Sequence, residues 1–250
     1  MGRSDRVVAA ALVVLLLALQ GQSSAQMPEK FENLQFFPKD IAREALVQRM
    51  REFSFALGVR CQYCHEGGDG ISFEGVIFKS DAKPTKRKAR EMLRMTQTLN
   101  DTLLPKIPER QTPPVRMECV ICHRGLPVPK TLATELTGVI DEKGIPAAVE
   151  RYRELRAKTQ LLGRFNFDEW TMNELARSLV EANKTDAAIA MLELNGEYYP
   201  ESSSIDFALG ELHRKRNERD KAIARYTAAL KKDPSMKVAQ ARLDELLGKK

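Results

Sequence analysis

The 250-residue sequence predicts an all-α fold. Segments of helical length carry apolar residues three and four positions apart, as in residues 41–58, where Leu46, Met50, Phe53 and Leu57 share one face. The last third of the chain repeats with a period of 34 residues, the length of a helical hairpin. Aromatic residues make up only 6% of the chain, which argues against a large β-sandwich.

Residues 1–25 have the pattern of a secretory signal peptide. Two arginines precede thirteen uncharged residues, and Ser23 and Ala25 stand at the positions of a cleavage site before Gln26. We therefore expect the mature chain in the periplasm, or otherwise outside the cytoplasm. An uncleaved anchor helix is the alternative, although a membrane span needs about 20 apolar residues. Any membrane association would then be peripheral or through that uncleaved signal.

The remaining chain divides into three predicted parts. Residues 26–130 contain two helices, of which the first follows Asp40 as N-cap and ends at Gly58. The second begins near Ser80 or Asp81, with Pro84 in its first turn, and runs to about residue 105. Residues 131–167 are a helical connector, and residues 168–250 are the repeats.

The net charge of +6 is concentrated in part in the run KPTKRKAR at residues 83–90. This run predicts a solvated helix face, and a docking patch for an acidic partner is the alternative. Nucleic acid is not expected as a partner, because the chain is exported and no aromatic residues are interleaved with the basic ones.

Every cysteine of the chain lies in a Cys-x-x-Cys-His motif. The motifs consist of Cys61, Cys64 and His65, and of Cys119, Cys122 and His123. Cysteines three apart lie about one helical turn apart and can form thioethers to both vinyl groups of one porphyrin. The following histidine then becomes the proximal iron ligand, so the sequence predicts two covalently bound haem c groups.

Three other interpretations of the cysteines stay open at this point. A zinc site could use both pairs, but it would leave the histidines unexplained and would span an unusually long gap. Two disulfides are compatible with export. A thioredoxin-like redox motif is the third, although no alternating strand and helix pattern surrounds either pair.

The sixth ligand of each iron is expected to be a methionine. His213 is the one spare histidine and lies in the repeats, so two bis-histidine haems are impossible within this chain. Met117 is too close to Cys119 to reach the opposite haem face. The helical candidates are Met50 for one haem and Met92 or Met95 for the other.

The repeats resemble tetratricopeptide repeats. The segments DAAIA and DKAIA lie 34 residues apart, as do Leu175 and Leu209, Asn183 and Asn217, and Pro200 and Pro234. Residues 238–250 are predicted to be a capping helix, and residues 144–156 could be half of a degenerate repeat. Such repeats imply a concave surface that docks a partner protein.

The segments LVQRMREFSFALGVRCQYCH and AREMLRMTQTLNDTLLP…CVICHRG resemble the haem-binding unit of the photosynthetic reaction-centre cytochrome c subunit. In that family a helix supplies the distal methionine of the haem attached just after it. The resemblance implies that Met50 pairs with His65 and Met95 with His123, with Met92 as the reserve. This chain departs from the family by having two haem sites instead of four and no lipid-anchor cysteine.

These features together predict an electron carrier rather than an enzyme, because six-coordinate iron is closed to substrate. Its partner would be a redox protein or a membrane electron-transfer complex, possibly like a reaction centre. A peroxidase or reductase with one open haem is an alternative. A second alternative is an assembly scaffold in which the repeats carry the main role.

Overall fold

The computed structural model describes residues 28, 30–70 and 72–249. These ranges contain ten α-helices and no β-strand. An isolated β-bridge pairs Glu66 with Ile77. The predicted all-α fold is confirmed. The chain divides into two compact units, with Val128 ending the first and Pro129 starting the second. The predicted signal peptide, residues 1–25, lies outside the described residues.

The first helix of the first unit, α1, spans Arg43–Leu57. It begins three residues after Asp40, and Ala42 occupies the N-cap without a side-chain hydrogen bond, so the prediction of Asp40 as cap is wrong. The predicted end is confirmed, because Gly58 adopts the left-handed conformation with φ of 66° and its amide donates to the carbonyl of Phe55.

The second helix, α2, spans Pro84–Thr98 and continues through a π turn at Leu99–Leu103 and a 3-10 turn at Leu104–Lys106. It starts at Pro84 and not at Ser80 or Asp81, because those two side chains bond elsewhere. The Ser80 hydroxyl donates to Glu66 at 2.6 Å, and the Asp81 carboxylate pairs with cations further along α2. A short third helix, α3, spans Cys119–His123.

Seven helices form the second unit. They are α4 (Leu132–Lys143), α5 (Ile145–Thr159), α6 (Glu169–Glu181), α7 (Thr185–Tyr198), α8 (Ser203–Lys215), α9 (Arg219–Lys232) and α10 (Lys237–Leu247). Consecutive helices pack in the pairs α4–α5, α6–α7 and α8–α9, with α10 against α9. Fully buried alanines such as Ala188 and Ala222 let neighbouring helices approach closely.

The structure repeats the 34-residue period across α6–α7 and α8–α9. Leu175 and Leu209 are both buried, at 2% and 1% exposure. Asn183 and Asn217 end the first helix of each pair in the left-handed conformation, with φ of 60° and 59°. Two stretches with the same period therefore form the same hairpin, and their assignment as tetratricopeptide repeats stays a prediction.

Within the described ranges, no helix is long and apolar enough to cross a membrane.

Candidate haem-binding sites

Both Cys-x-x-Cys-His motifs fold as one helical turn. In the first, Cys61–Tyr63 form a 3-10 turn, and the His65 amide donates to the Cys61 carbonyl at 2.9 Å. The second motif is helix α3 itself. Each turn places its two thiols about one helical turn apart with the histidine directly after them, as covalent attachment to one porphyrin requires.

Helix α1 leads into the first motif but packs against the second. The Gly125 amide, two residues after His123, donates to the Ala56 carbonyl near the end of α1 at 2.8 Å. A Cβ atom at Gly58 would lie only 2.3 Å from the Gly125 carbonyl oxygen. The two backbones can approach this closely only because Gly58 has no side chain.

Helix α2 contacts the first motif at its start, and the turn after its end contacts the residue two positions before the second motif. At its start, the Lys83 ammonium donates to the Gln62 carbonyl and the Thr85 hydroxyl donates to the Tyr63 carbonyl. After its end, the Asn100 side chain donates to the Met117 carbonyl at 2.9 Å and accepts from the Met117 amide at 2.7 Å. Helix α2 therefore links the two motifs within one compact unit.

The imidazole of His123 is buried and fixed in orientation. It is 9% exposed, and its Nδ1 lies 2.8 Å from the Leu126 carbonyl oxygen. A carbonyl oxygen only accepts hydrogen bonds, so Nδ1 carries the proton and donates it. This tautomer leaves the Nε2 lone pair for a metal ion, the usual arrangement of a ligating histidine.

The imidazole of His65 lies in different surroundings. Its ring packs edge-on against Phe78, with 5.0 Å between the ring centroids. Its Nδ1 is buried and has no hydrogen-bond partner among the described residues. Burial lowers the pKa of His65 to about 4, and the charges of Lys86 and Arg90 act in the same direction. The ring is therefore neutral at physiological pH, the form that binds iron.

Side chains of the basic run at residues 83–90 bond to the loop that follows the first motif. Lys86 donates to the carbonyls of Phe78 and Ser80 at 2.6 and 2.7 Å, and it pairs with Asp81 at 3.2 Å. Arg90 pairs with the same carboxylate at 2.9 Å. The side chains of Lys86 and Arg90 are only 11% exposed, so the prediction of a solvated face is wrong for these two residues.

The candidate methionines lie on the helices on which the sequence placed them. Met50 is half-buried on α1. Met92 and Met95 lie on α2 and are 40% and 47% exposed. Their exposure leaves both sulfur-bearing side chains of α2 accessible to a large apolar group.

The thiols do not support the zinc or disulfide interpretations. All four cysteines are free. No group of three or more His, Cys, Asp or Glu side chains suited to a metal ion occurs among the residues that the structure describes. Burial raises the pKa values of Cys64 and Cys119.

The packing of the first unit fits a large apolar prosthetic group. Among its described residues only Leu46, Ala56 and His123 are buried. Apolar side chains near the motifs, including Leu103 at 48% and Ile121 at 45%, are exposed instead. A porphyrin covering these side chains would supply the apolar contacts that a unit of this length needs.

Comparison with known proteins agrees with this geometry. The family model described as photosynthetic reaction centre cytochrome C subunit matches residues 46–177, just over half of the chain. The chain belongs to this family. The resemblance predicted from the two motif segments is thereby confirmed, and membership in this cytochrome c family implies covalently bound haem c.

A curated relative matches part of the chain. Cytochrome c-554 of Chloroflexus aurantiacus is 38% identical over 74 residues, which is 30% of this chain and 16% of that protein. The similarity thus extends over a small part of the relative.

Two features of the sites escaped sequence reasoning. The Leu126 carbonyl that orients His123 is a backbone atom, so no residue type marks it. Lys86 appeared in the sequence as one of several neighbouring cations, and only folding distinguishes it from the exposed Lys88.

Proposed function

We propose that this chain is an exported dihaem c-type cytochrome that transfers electrons through two His/Met-ligated haems. The observation that carries the proposal is that one compact unit holds two Cys-x-x-Cys-His turns, each ending in a histidine that is buried or half-buried. Export rests on the signal-peptide pattern of residues 1–25. Periplasmic location follows from it.

The side chains have separate roles in this proposal. Cys61 and Cys64 hold one haem, and Cys119 and Cys122 hold the other. Each haem supplies an iron that alternates between Fe(III) and Fe(II) when bound.

The axial ligands are proposed from the family pattern. His65 and Met50 ligate the first iron, and His123 and Met95 ligate the second, with Met92 in reserve. Methionine and histidine together close both axial positions, which favours electron transfer over substrate chemistry. Leu126 keeps the Nδ1 proton of His123 in place, so that its Nε2 stays directed to the metal.

The second unit is proposed to dock a partner protein. Its helical hairpins repeat with a 34-residue period, and stacked hairpins of this kind form extended binding surfaces. Family membership favours a membrane electron-transfer complex similar to a reaction centre as the partner. The haem unit would then sit within electron-transfer reach of that complex while the repeats hold it there.

Haem content tests the central claim. A pyridine haemochrome assay on the purified protein should give two c-type haems per chain. Replacing Cys61 and Cys64 by alanine, or Cys119 and Cys122, should leave one haem in each variant. Fewer than two haems in the unaltered chain would contradict the dihaem proposal.

Methionine variants test the distal ligands. Met50→Leu and Met95→Leu should each weaken the long-wavelength band typical of oxidised Met-ligated haem and should admit carbon monoxide to the reduced protein. Met117→Leu is the matched control, because Met117 precedes Cys119 too closely to ligate the opposite face. Rapid carbon monoxide binding to the unaltered protein would instead favour the enzyme alternative.

The repeats are tested by removing residues 168–250. The variant should keep its haem spectrum but lose rapid oxidation by membrane extracts. Unchanged oxidation would remove the docking role from the repeats, and lost haem would favour the scaffold alternative.

A further inference from the structure

The two proximal histidines differ at Nδ1, the ring nitrogen that faces away from a metal bound at Nε2. In His123 this nitrogen donates to the Leu126 carbonyl at 2.8 Å. In His65 it has no hydrogen-bond partner among the described residues. A hydrogen bond from Nδ1 to a carbonyl makes the imidazole a stronger electron donor to a metal ion.

A cation is bound beside His65. Phe78 packs its ring against the His65 ring at 5.0 Å, and its backbone lies close enough to offset in part the lowering of the His65 pKa, although no well-formed hydrogen bond reaches Nδ1. The Phe78 carbonyl accepts the Lys86 ammonium at 2.6 Å. Lys86 is thus held next to the residue that packs on His65.

Three cations lie beside the first motif. Lys83 donates to the Gln62 carbonyl inside the motif, and Lys86 and Arg90 follow one and two turns later. Two carboxylates lie nearby, Asp81, which pairs with Lys86 and Arg90, and Glu66, which directly follows His65, so the cations are in excess by one.

Charges at the second motif are balanced and exposed. Glu118 directly precedes Cys119 and Arg124 directly follows His123, and both side chains are exposed. Burial is the main cause that raises the pKa of the Cys119 thiol, ahead of the charges of Cys122, Glu118 and Glu52.

We propose that the haem attached at Cys61 and Cys64 has the higher reduction potential of the two, and that Lys86 is the residue that sets the difference. This inference rests on the proposed dihaem function. Reduction adds one electron to iron and takes up no proton in this scheme. A nearby buried cation stabilises Fe(II) relative to Fe(III), and a strongly donating imidazole stabilises Fe(III).

The order would fix where an electron resides once both haems are bound. An electron delivered to the second site would pass to the first, so the second iron would be oxidised to Fe(III) and the first reduced to Fe(II). The second site would therefore accept electrons from a donor, and the first would hold them for the acceptor. Lys86 would act on this order through its charge, as a positioning residue that touches neither iron.

Spectroelectrochemical titration of the full dihaem protein tests the proposal. The unaltered protein should show two one-electron steps. Lys86→Gln should shift only the upper step downward, by about a tenfold change in the Fe(III)/Fe(II) ratio at fixed potential, which is about 59 mV. Lys86→Arg keeps the charge and should largely restore the upper step.

Lys88→Gln is the matched control, since it removes the same charge from the same helix. Lys88 is exposed and has no hydrogen bond or ion pair among the described residues, so both steps should stay in place. Glu118→Gln removes a charge directly before Cys119, much nearer to its haem than Lys88 is to either motif, and should raise only the lower step. That variant assigns the order even where Lys86→Gln does not accumulate as folded protein.

The outcomes separate this inference from the proposed function. Three outcomes in a protein with two haems would overturn the inference and leave the dihaem carrier intact. They are a shift of the lower step in Lys86→Gln, a shift of the upper step in Glu118→Gln, and equal shifts in Lys86→Gln and Lys88→Gln. Fewer than two haems per chain would overturn both.

Discussion

The close approach of Gly58 to Gly125 gives a prediction that links a residue before the first motif to the second one. In Gly58→Ala the new Cβ would lie 2.3 Å from the Gly125 carbonyl oxygen, about 1 Å inside ordinary contact, which begins at 3.4 Å. Alanine at a φ of +66° costs about 1–2 kcal/mol. Separating the backbones also breaks the hydrogen bond from Gly125 to Ala56, at about 1–3 kcal/mol.

The free energy of unfolding should therefore fall by about 2–5 kcal/mol in Gly58→Ala. The measurement is guanidinium unfolding followed by haem absorbance, with peptide mass spectrometry to count haem on each motif. The fraction of chains without an attached haem should be greater at Cys119 and Cys122 than at the nearer Cys61 and Cys64.

Gly75→Ala is the matched control for this contact. Gly75 has a φ of +68°, but the nearest atom to its added Cβ is 3.7 Å away. The free energy of unfolding of Gly75→Ala should fall only by the cost of the left-handed backbone, about 1–2 kcal/mol. If both variants were destabilised equally, or if haem attachment fell mainly at the Cys61 motif, the packing of α1 on the second motif would not be what makes Gly58 necessary.

Two further predictions concern the second unit. Gly210→Ala should lower the free energy of unfolding of this unit by about 1–3 kcal/mol, because the new Cβ would lie 2.6 Å from the buried Tyr226 ring. Gly138→Ala, whose new Cβ would have nothing within 4 Å, should instead raise it by up to about 1 kcal/mol. Chemical denaturation measures both changes. Burial raises the pKa of Glu135, but its two ion pairs outweigh this and hold the pKa below its ordinary 4.5. Its stabilisation is therefore present above about pH 4.5 and lost as pH falls through the lowered value. Denaturation at several pH values should show Glu135→Gln destabilised by about 1–2 kcal/mol at pH 7 and approaching the unaltered chain in acid; a difference independent of pH would contradict this.

The helices were predictable where local pattern decides them. The apolar face of residues 41–58 and the glycine at position 58 fix α1 and its end, because both act within a few residues. The starts were less predictable. Asp40 and Asp81 are good N-cap residues, yet neither caps a helix, and Asp81 instead binds Lys86 and Arg90. A side chain with a stronger tertiary partner is not available to a helix terminus.

The sequence by itself determined the chemistry of this protein. Two Cys-x-x-Cys-His motifs specify covalent haem attachment because the spacing of one helical turn is a local property, and the 34-residue period specifies helical hairpins for the same reason. The tertiary structure alone decided how the two sites differ. Three contacts depend on where backbone atoms meet in the fold. Helix α1 packs on the second motif, His123 bonds to the Leu126 carbonyl, and Lys86 donates to the Phe78 carbonyl beside His65. Backbone carbonyls look the same at every position of a sequence, so only folding distinguishes the few that orient a ligand.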